Sequence, residues 1–412
     1  MVQMFMVNVV LLAAGFFALI KGADWFVDGS SALAKNFHVP GLIIGLTIVA
    51  LGTSAPELAV SISAALQGSN EIALSNVVGS DVFNLACVLG ICAVIHPVPV
   101  DKAVLKRDFP LTIGAAVLAL LVSGADWAVV KSAFKGPIAG AISGGMDLMS
   151  GGMDAVAGTV GRSAGLLLLV LFLAYILYLI HDARKRPEKI ETGERDGWSS
   201  GSQGSSSQRR SGSQGSSGSQ GSNGGQGSSG SQGNNDSQRR SGLGQSRSQG
   251  QGPDLAGEPD REACLPLGKC ALLILIGLGL IIAGGQVVVY SAKNIAKALG
   301  MSETLIGLTV VAVGTSLPEL VTSVVAARKG ETGLAIGNVV GSNLFNILFI
   351  LGISAAICPI DVNIASIYDM LTLIVISLLT YIFSLSKGKI ERAEGVTLLL
   401  FYGASVVFAV LR

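Results

Sequence analysis

Two glutamates, Glu57 and Glu319, each lie inside an apolar segment and at the same place in a repeated sequence. The first copy reads Gly45-Leu-Thr-Ile-Val-Ala-Leu-Gly-Thr-Ser-Ala-Pro-Glu57, and the second reads Gly307-Leu-Thr-Val-Val-Ala-Val-Gly-Thr-Ser-Leu-Pro-Glu319. A carboxylate surrounded by hydrocarbon is energetically expensive, so its presence there indicates a function. Carboxylates at equivalent positions of a repeat predict one site built from both copies.

Oxygen-bearing side chains accompany each glutamate. Thr53 and Ser54 stand four and three residues before Glu57, a spacing that puts all three side chains on one helix face. A second shared block follows, Asn76-Val-Val-Gly-Ser-Asp-Val-Phe-Asn84 in the first copy and Asn338-Val-Val-Gly-Ser-Asn-Leu-Phe-Asn346 in the second. The side-chain oxygen donors of the two copies are then Thr53, Ser54, Ser80 and Asn84, and Thr315, Ser316, Ser342 and Asn346.

Prolines next to the glutamates predict broken helices. Pro56 has no N–H, so the carbonyl of Gly52 loses its helical partner, and Pro318 does the same to Gly314. Free carbonyls at membrane depth are tolerated where they line a cavity or bind ions. The donor set contains no His or Cys and suits hard cations such as Ca²⁺ and Na⁺. A site where these ions exclude one another is a basis for exchange.

An alternative interpretation treats the Gly, Ser and Thr residues as small residues that let helices pack closely. It accounts for Gly79 and Gly341, but packing does not require the buried carboxylates of Glu57 and Glu319.

The composition indicates an all-α integral membrane protein, because hydrophobic residues make up 50% of the chain and the mean hydropathy is +0.62. The net charge of +1 identifies no acidic or basic partner. Apolar runs predict about ten transmembrane helices, as two inverted five-helix repeats. They lie near 4–32, 40–66, 72–96, 108–124, 164–181, 270–292, 303–327, 334–358, 366–385 and 394–411.

The chain divides into two membrane halves around a polar segment. The first half is 1–181 with its repeat at about 44–91, and the second is 270–412 with its repeat at about 306–353. Residues 182–269 are rich in Gly, Ser and Gln and predict a flexible linker. Residues 125–163 predict either an amphipathic helix on the outer surface or a disordered insertion.

The distribution of positive charge predicts the orientation. Lys and Arg are more frequent in the short loops that share a side with the linker, which favours an outside N-terminus and a cytoplasmic linker. An odd number of spans per half then makes the halves inverted, an architecture in which ion sites form near the midplane. The expected location is the cell (plasma or inner) membrane.

The two repeated blocks resemble the alpha-repeats of sodium/calcium exchangers, in the cation/Ca²⁺ antiporter superfamily. The resemblance is carried by Gly-Thr-Ser-Ala-Pro-Glu at 52–57, by Gly-Thr-Ser-Leu-Pro-Glu at 314–319, and by the Gly-Ser and Phe-Asn pairs of the second blocks. It implies ten transmembrane helices in two inverted halves, with a site alternately open to each side.

The resemblance also implies ligands. Glu57 and Glu319 would bind Ca²⁺, with Thr53 and Thr315 contributing backbone or hydroxyl oxygens. The sodium sites would draw on the carbonyls of Ala50 and Ala312 and on Ser54, Ser316, Ser80, Ser342, Asn84 and Asn346. Relatives that exchange Ca²⁺ for protons usually carry Gly-Asn-Ala in place of Gly-Thr-Ser, so the resemblance favours sodium.

Two positions depart from the family pattern. Some members, including potassium-dependent ones, have Asp where this chain has Asn346, which argues against potassium co-transport. Asp81 replaces the residue that matches Asn343, and it either borders the cavity or faces the entrance or a polar partner. The second alternative is favoured, so Asp81→Asn is expected to alter transport only modestly.

The favoured function is therefore exchange of Na⁺ for Ca²⁺ by alternating access. A Ca²⁺/H⁺ or other divalent cation/H⁺ antiporter and a passive cation channel remain as alternatives. An enzyme is not predicted, because the chain has no phosphate loop, nucleophile elbow or zinc motif. The expected interactions are with the lipid bilayer and with Ca²⁺ and Na⁺ as transported ions. No cofactor, nucleic acid or obligate protein partner is expected.

Overall fold

The computed structural model describes residues 2–68, 70–125, 130, 156–185, 265–299 and 312–411. Its helices in the first half are α1 (Val2–Phe37), α2 (Gly41–Thr53), α3 (Ala55–Leu66), α4 (Asn70–Val82, continuing to Leu89–Ile95), α5 (Phe109–Val122) and α6 (Arg162–Lys185). Those of the second half are α7 (Leu267–Ala298), α8 (Ala312–Thr315), α9 (Leu317–Arg328), α10 (Thr332–Leu344, continuing to Gly352–Ile357), α11 (Ile364–Lys387) and α12 (Arg392–Leu411). The strands are β1 (Val98–Pro99), β2 (Val156–Val160), β3 (Ile360–Asn363) and β4 (Lys389–Ile390).

The helices follow the predicted spans, which confirms the all-α membrane class. Among the described residues, seven helices are long and apolar enough to cross a membrane, and the bent pair α2–α3 can form an eighth span. The span predicted near 108–124 is the 14-residue helix α5. The span predicted at 303–327 starts outside the described residues and continues as α8 and α9.

The short strands show that the two halves are inverted. β1, between the third and fourth spans, pairs antiparallel with β4, between the ninth and tenth, with Val98 opposite Ile390. β2, between the fourth and fifth spans, pairs with β3, between the eighth and ninth, with Val160 opposite Ile360. Each pair joins two loops that are not equivalent in the two halves. Halves of the same orientation would place equivalent loops on one side, so this pairing requires inversion.

The strand β2 corrects one expectation. The sequence analysis predicted a surface helix or a disordered insertion over 125–163, and both are wrong for Val156–Val160, which form a strand. The strand partner lies far away in the sequence, and this is why periodicity within the segment did not reveal it. Residues 126–129 and 131–155 lie outside the described residues.

Small residues let helices of the two halves approach closely. A Cβ added to Gly22 of α1 would lie 2.7 Å from the Gly277 carbonyl oxygen of α7. A Cβ added to Gly45 of α2 would lie 2.7 Å from the Leu334 carbonyl oxygen of α10. The packing interpretation of the glycines therefore holds at these contacts and at Gly341, but it is wrong for Gly79, where an added Cβ would meet no atom within 4 Å. The contact between α2 and α10 brings the first broken helix against the second repeat.

Candidate cation-binding site

Each repeat contains a helix break immediately before its glutamate. Between α2 and α3 Ser54 has φ −82° and ψ 10°, and the two helices are bent by 48°. Ser316 has φ −91° and ψ 8° between α8 and α9. Pro56 and Pro318 occupy the first turns of α3 and α9, where a helix needs no N–H donor. The predicted breaks are confirmed, and each places one serine at the junction.

The two glutamates are linked through serines of the opposite repeat. Glu57 and Glu319 are fully buried. The Oγ of Ser54 donates a hydrogen bond to Oε1 of Glu319 at 2.8 Å, and the Oγ of Ser316 donates to Oε1 of Glu57 at 3.0 Å. The Oγ of Ser316 also lies 3.0 Å from the Oγ of Ser80. The two broken helices therefore meet at one location, and each half supplies polar groups to the glutamate of the other.

Several buried polar side-chain atoms of the two repeats have no hydrogen-bond partner among the described residues. Within the described part of the chain, the Oε2 atoms of Glu57 and Glu319 have no hydrogen-bond partner. The same is true of the Oγ of Ser342 and of both amide atoms of Asn84. Buried polar atoms without partners are rare in folded proteins and require an explanation. Oxygens oriented in this way can serve as ligands of a hard cation.

One asparagine connects each glutamate to the following helix, and neither asparagine was among the site residues predicted from the sequence. The Nδ2 of Asn338 donates to Oγ of Ser323 at 2.9 Å and to the Glu319 carbonyl oxygen at 3.4 Å. The Nδ2 of Asn76 donates to Oγ of Ser61 at 3.0 Å and to the Glu57 carbonyl oxygen at 3.2 Å. Their identical place at the start of the second shared block was the available signal.

Asn338 also contacts the other half. Its Oδ1 accepts a hydrogen bond from Oγ1 of Thr53 at 3.0 Å, and both residues are fully buried. Thr53 therefore lies beside the second repeat, and its hydroxyl proton is directed at Asn338. Its hydroxyl oxygen keeps lone pairs that can still face a cation. Thr315, the equivalent residue, is half-buried.

Asn84 and Asn346 lie in equivalent π-helical turns, which the sequence analysis did not predict. The turns span Phe83–Val88 within α4 and Phe345–Leu351 within α10. Such turns are rare, and they occur frequently at functional sites. The wider turn changes the direction in which the asparagine side chain leaves the helix.

The resemblance implied that the carbonyl oxygens of Ala50 and Ala312 bind sodium, but the Ala50 oxygen already accepts a hydrogen bond in this structure. The Ala50 carbonyl oxygen accepts a hydrogen bond from the Ser54 N–H at 3.0 Å, and Oγ1 of Thr53 lies 3.4 Å from it. It therefore keeps its helical partner in this structure. Ala312 begins α8 at the edge of the described residues.

The candidate metal ligands of this site are oxygen atoms. Over the described ranges, no group of three or more His, Cys, Asp and Glu side chains is close enough to hold a metal ion. The hydroxyls of Ser54 and Ser316 instead contact the glutamates, and oxygen donors of this kind suit Ca²⁺ and Na⁺ better than transition metals.

Comparisons with known proteins agree with this architecture. The family model described as sodium/calcium exchanger protein matches residues 7–181 and 269–411. The sodium/calcium exchanger MaX1 of Methanosarcina acetivorans is 35% identical, over 98% of this chain and 99% of its own length. The inner membrane protein YrbG of Escherichia coli is 28% identical, over 97% of this chain and 95% of its own length.

A solved structure shares the fold. The sodium-calcium exchanger NCX_Mj aligns with a TM-score of 0.65 at 24% identity, over 98% of this chain and 99% of the other. At this level of identity the likeness concerns the fold alone. The extensive match to the family model and to MaX1 carries the assignment further: this chain belongs to the sodium/calcium exchanger family of membrane antiporters.

Proposed function

We propose that this protein is a secondary active antiporter that exchanges Na⁺ for Ca²⁺ by alternating access, with Glu57 and Glu319 binding the ions in turn. The observation that carries the proposal is the reciprocal pair of hydrogen bonds from Ser54 to Glu319 and from Ser316 to Glu57. Each bond occupies Oε1 of a buried glutamate, while Oε2 has no partner among the described residues.

The charges of this site explain why the two ions would compete. The two glutamates neutralise one Ca²⁺ or two Na⁺, so glutamates that bind one kind of ion have no charge left for the other. In a low-dielectric interior an uncompensated charge is costly, so the empty site does not change conformation easily. Because only the loaded site changes conformation, Na⁺ movement down its gradient is coupled to Ca²⁺ movement in the opposite direction.

The neutral oxygens would complete the coordination. Thr53 and Thr315 serve Ca²⁺ together with the glutamates. The carbonyls of Ala50 and Ala312, and the side chains Ser54, Ser316, Ser80, Ser342, Asn84 and Asn346, serve Na⁺. Burial of Asn84, Ser342 and Asn346 near the break supports these roles, because buried hydroxyl and amide oxygens can replace the hydration shell of a hard cation.

Sodium is favoured over protons as the coupling ion. Each helix break carries a Thr-Ser pair before its glutamate, and these hydroxyls are cation ligands that a proton carrier does not need. The relative MaX1 is described as a sodium/calcium exchanger. The competing function is a Ca²⁺/H⁺ antiporter, in which the two buried glutamates would carry protons.

The organisation around the site is part of the proposal. The N-terminus lies outside a cell (plasma or inner) membrane, and 182–269 forms a cytoplasmic linker between the halves 1–181 and 270–412. The family model supports these limits, because its two matched ranges end at 181 and resume at 269.

Transport by the purified full chain in liposomes distinguishes the two functions. Liposomes are loaded with Na⁺, diluted into Na⁺-free buffer, and assayed for uptake of radioactive Ca²⁺, with choline-loaded liposomes as the control. A second series carries only a pH gradient. Uptake that requires internal Na⁺ is the expected result, and uptake driven by protons alone would replace the proposal with the Ca²⁺/H⁺ function.

A further inference from the structure

A third carboxylate, Asp81, lies inside the membrane portion of the protein and is fully buried. Its Oδ1 accepts a hydrogen bond from Nδ2 of Asn346 at 2.9 Å. Its backbone carbonyl oxygen accepts one from Nδ2 of Asn343 at 3.1 Å. Asp81 therefore does not face an entrance, as one sequence-based alternative allowed. It contacts a polar partner, and that partner is one of the proposed sodium ligands.

No positive side chain of the described residues balances Asp81. Its side-chain hydrogen-bond partner is the neutral amide of Asn346, and the charged residue that acts on it is a further carboxylate, Glu319. Its second oxygen, Oδ2, has no hydrogen-bond partner within the same residues. An isolated carboxylate in a low-dielectric interior is strongly unfavourable, so a charge at this position calls for a cation close by.

The hydrogen bond also determines how Asn346 is oriented. Oδ1 of Asp81 accepts this hydrogen bond, so it faces the NH₂ end of the Asn346 amide. The opposite end, Oδ1 of Asn346, is then left without a partner, as are both amide atoms of Asn84. Asp81 thus turns Asn346 into an oxygen donor whose free end points away from the carboxylate.

We propose that Asp81 is a positioning residue of the transport site: it holds Asn346 with its amide oxygen available to Na⁺ and adds a third negative charge that this ion balances. The inference rests on the proposed exchange function. Asp81 acts through Asn346, because the described residues contain no cluster of three carboxylates that could hold one ion jointly. One carboxylate with neutral amide oxygens suits a monovalent ion, while Ca²⁺ depends on the two glutamates.

The test uses three variants of the full chain in liposomes. Asp81→Asn removes the charge. The double variant Asp81→Asn with Asn346→Asp moves the carboxylate to the other end of the same hydrogen bond. Asp101→Asn is the matched control, because Asp101 is exposed and lies outside the site. Gel filtration and thermal unfolding establish that each variant is folded, and transport is then measured against Na⁺ and against Ca²⁺, with and without K⁺.

The expected result is a selective effect on sodium, which replaces the modest change in transport expected for Asp81→Asn from the sequence. Asp81→Asn should raise the half-saturating Na⁺ concentration by about tenfold, since ligand charge count tunes cation affinity, and should lower the Hill coefficient for Na⁺. The half-saturating Ca²⁺ concentration should change far less. The double variant should restore the sodium dependence, which a merely structural role of Asp81 would not predict.

Three results would overturn the inference. They are an Asp81→Asn variant with unaltered sodium dependence, a folded double variant that fails to restore it, and an effect on K⁺ dependence alone. Failure of the unmodified protein to couple Na⁺ to Ca²⁺ would instead reject the proposed function. The unmodified protein is assayed in every series, so the two failures are distinguishable.

Discussion

Ser54 of the first repeat donates a hydrogen bond to Glu319 of the second across 2.8 Å, although the two residues are 265 positions apart in the chain. The equivalent bond joins Ser316 to Glu57. Each serine is the single residue that interrupts its broken helix. The same residue therefore bends one half and orients the carboxylate of the other, which makes the geometry of each glutamate dependent on how the halves are arranged.

Removal of either hydroxyl should weaken ion binding. A hydrogen bond to a charged group contributes about 1.5–3 kcal/mol, so Ser54→Ala and Ser316→Ala should each raise the half-saturating Ca²⁺ concentration by about ten- to a hundredfold. Ser63→Ala is the control, because Ser63 lies on the exposed face of α3. The measurement is Ca²⁺ uptake as a function of Ca²⁺ concentration. An equal half-saturating Ca²⁺ concentration in the unmodified protein and the three variants would show that these hydroxyls do not orient the glutamates.

Two equivalent glycines should differ in their tolerance of alanine. A Cβ at Gly341 would lie 2.7 Å from Cα of Leu46 and 2.8 Å from Cβ of Ala50, whereas a Cβ at Gly79 would have no atom within 4 Å. Overpacking of this kind costs about 1–3 kcal/mol, so Gly341→Ala should lower the unfolding temperature while Gly79→Ala leaves it nearly unchanged. Thermal unfolding in detergent measures both. A Gly79 variant that unfolds at the lower temperature would contradict the described helix contacts.

Replacement of Asn338 and of Asn76 by alanine should destabilise the protein to different extents. Asn338 bonds to Ser323, to the Glu319 carbonyl and to Thr53 of the other half, whereas the bonds found for Asn76 stay within its own half. Loss of partners for buried polar groups costs about 1–3 kcal/mol, so Asn338→Ala should destabilise the protein more than Asn76→Ala. Denaturation monitored for both variants provides the comparison, and a reversed order would argue against the contact between Thr53 and Asn338.

A buried ion pair directly before α5 should contribute to stability rather than transport. Arg107 donates to Oδ1 of the fully buried Asp108 at 2.6 Å and to Oδ2 of Asp182 at 2.7 Å. Arg107→Ala leaves the Asp108 carboxylate without this partner, and breaking a buried pair in this way costs about 3–5 kcal/mol. The exposed neighbour Lys106→Ala is the control. Unfolding temperatures that fall equally in both variants would be inconsistent with this ion pair.

The sequence predicted those parts of the molecule that depend on local composition. Runs of apolar residues located the spans, and Pro56 and Pro318 located the breaks because a missing N–H has a local effect. The roles of Asn76 and Asn338 were missed, since a buried amide can be assigned only when its neighbours on the next helix are known. The π-helical turns at Asn84 and Asn346 have no simple sequence signature. Strand β2 was missed because its partner is supplied by the other half.

The contacts of Asp81 also could not be predicted from the sequence alone. One copy of the second block has aspartate where the other has Asn343, and the sequence alone allowed three places for it: the border of the cavity, an entrance or a polar partner. The hydrogen bond to Asn346 arises from the packing of α4 against α10, so it depends on the three-dimensional arrangement of the two halves.

The central claim is that both buried glutamates bind the exchanged ions, and Na⁺-dependent Ca²⁺ uptake by Glu57→Gln and Glu319→Gln in liposomes tests it most directly. Glutamine keeps the size of the side chain and removes its charge. Glu391→Gln is the control, because Glu391 forms only surface ion pairs with Lys387 and Lys389 among the described residues. The account predicts that uptake is abolished in both folded site variants and retained in the control. Retention of full uptake by either site variant would contradict it.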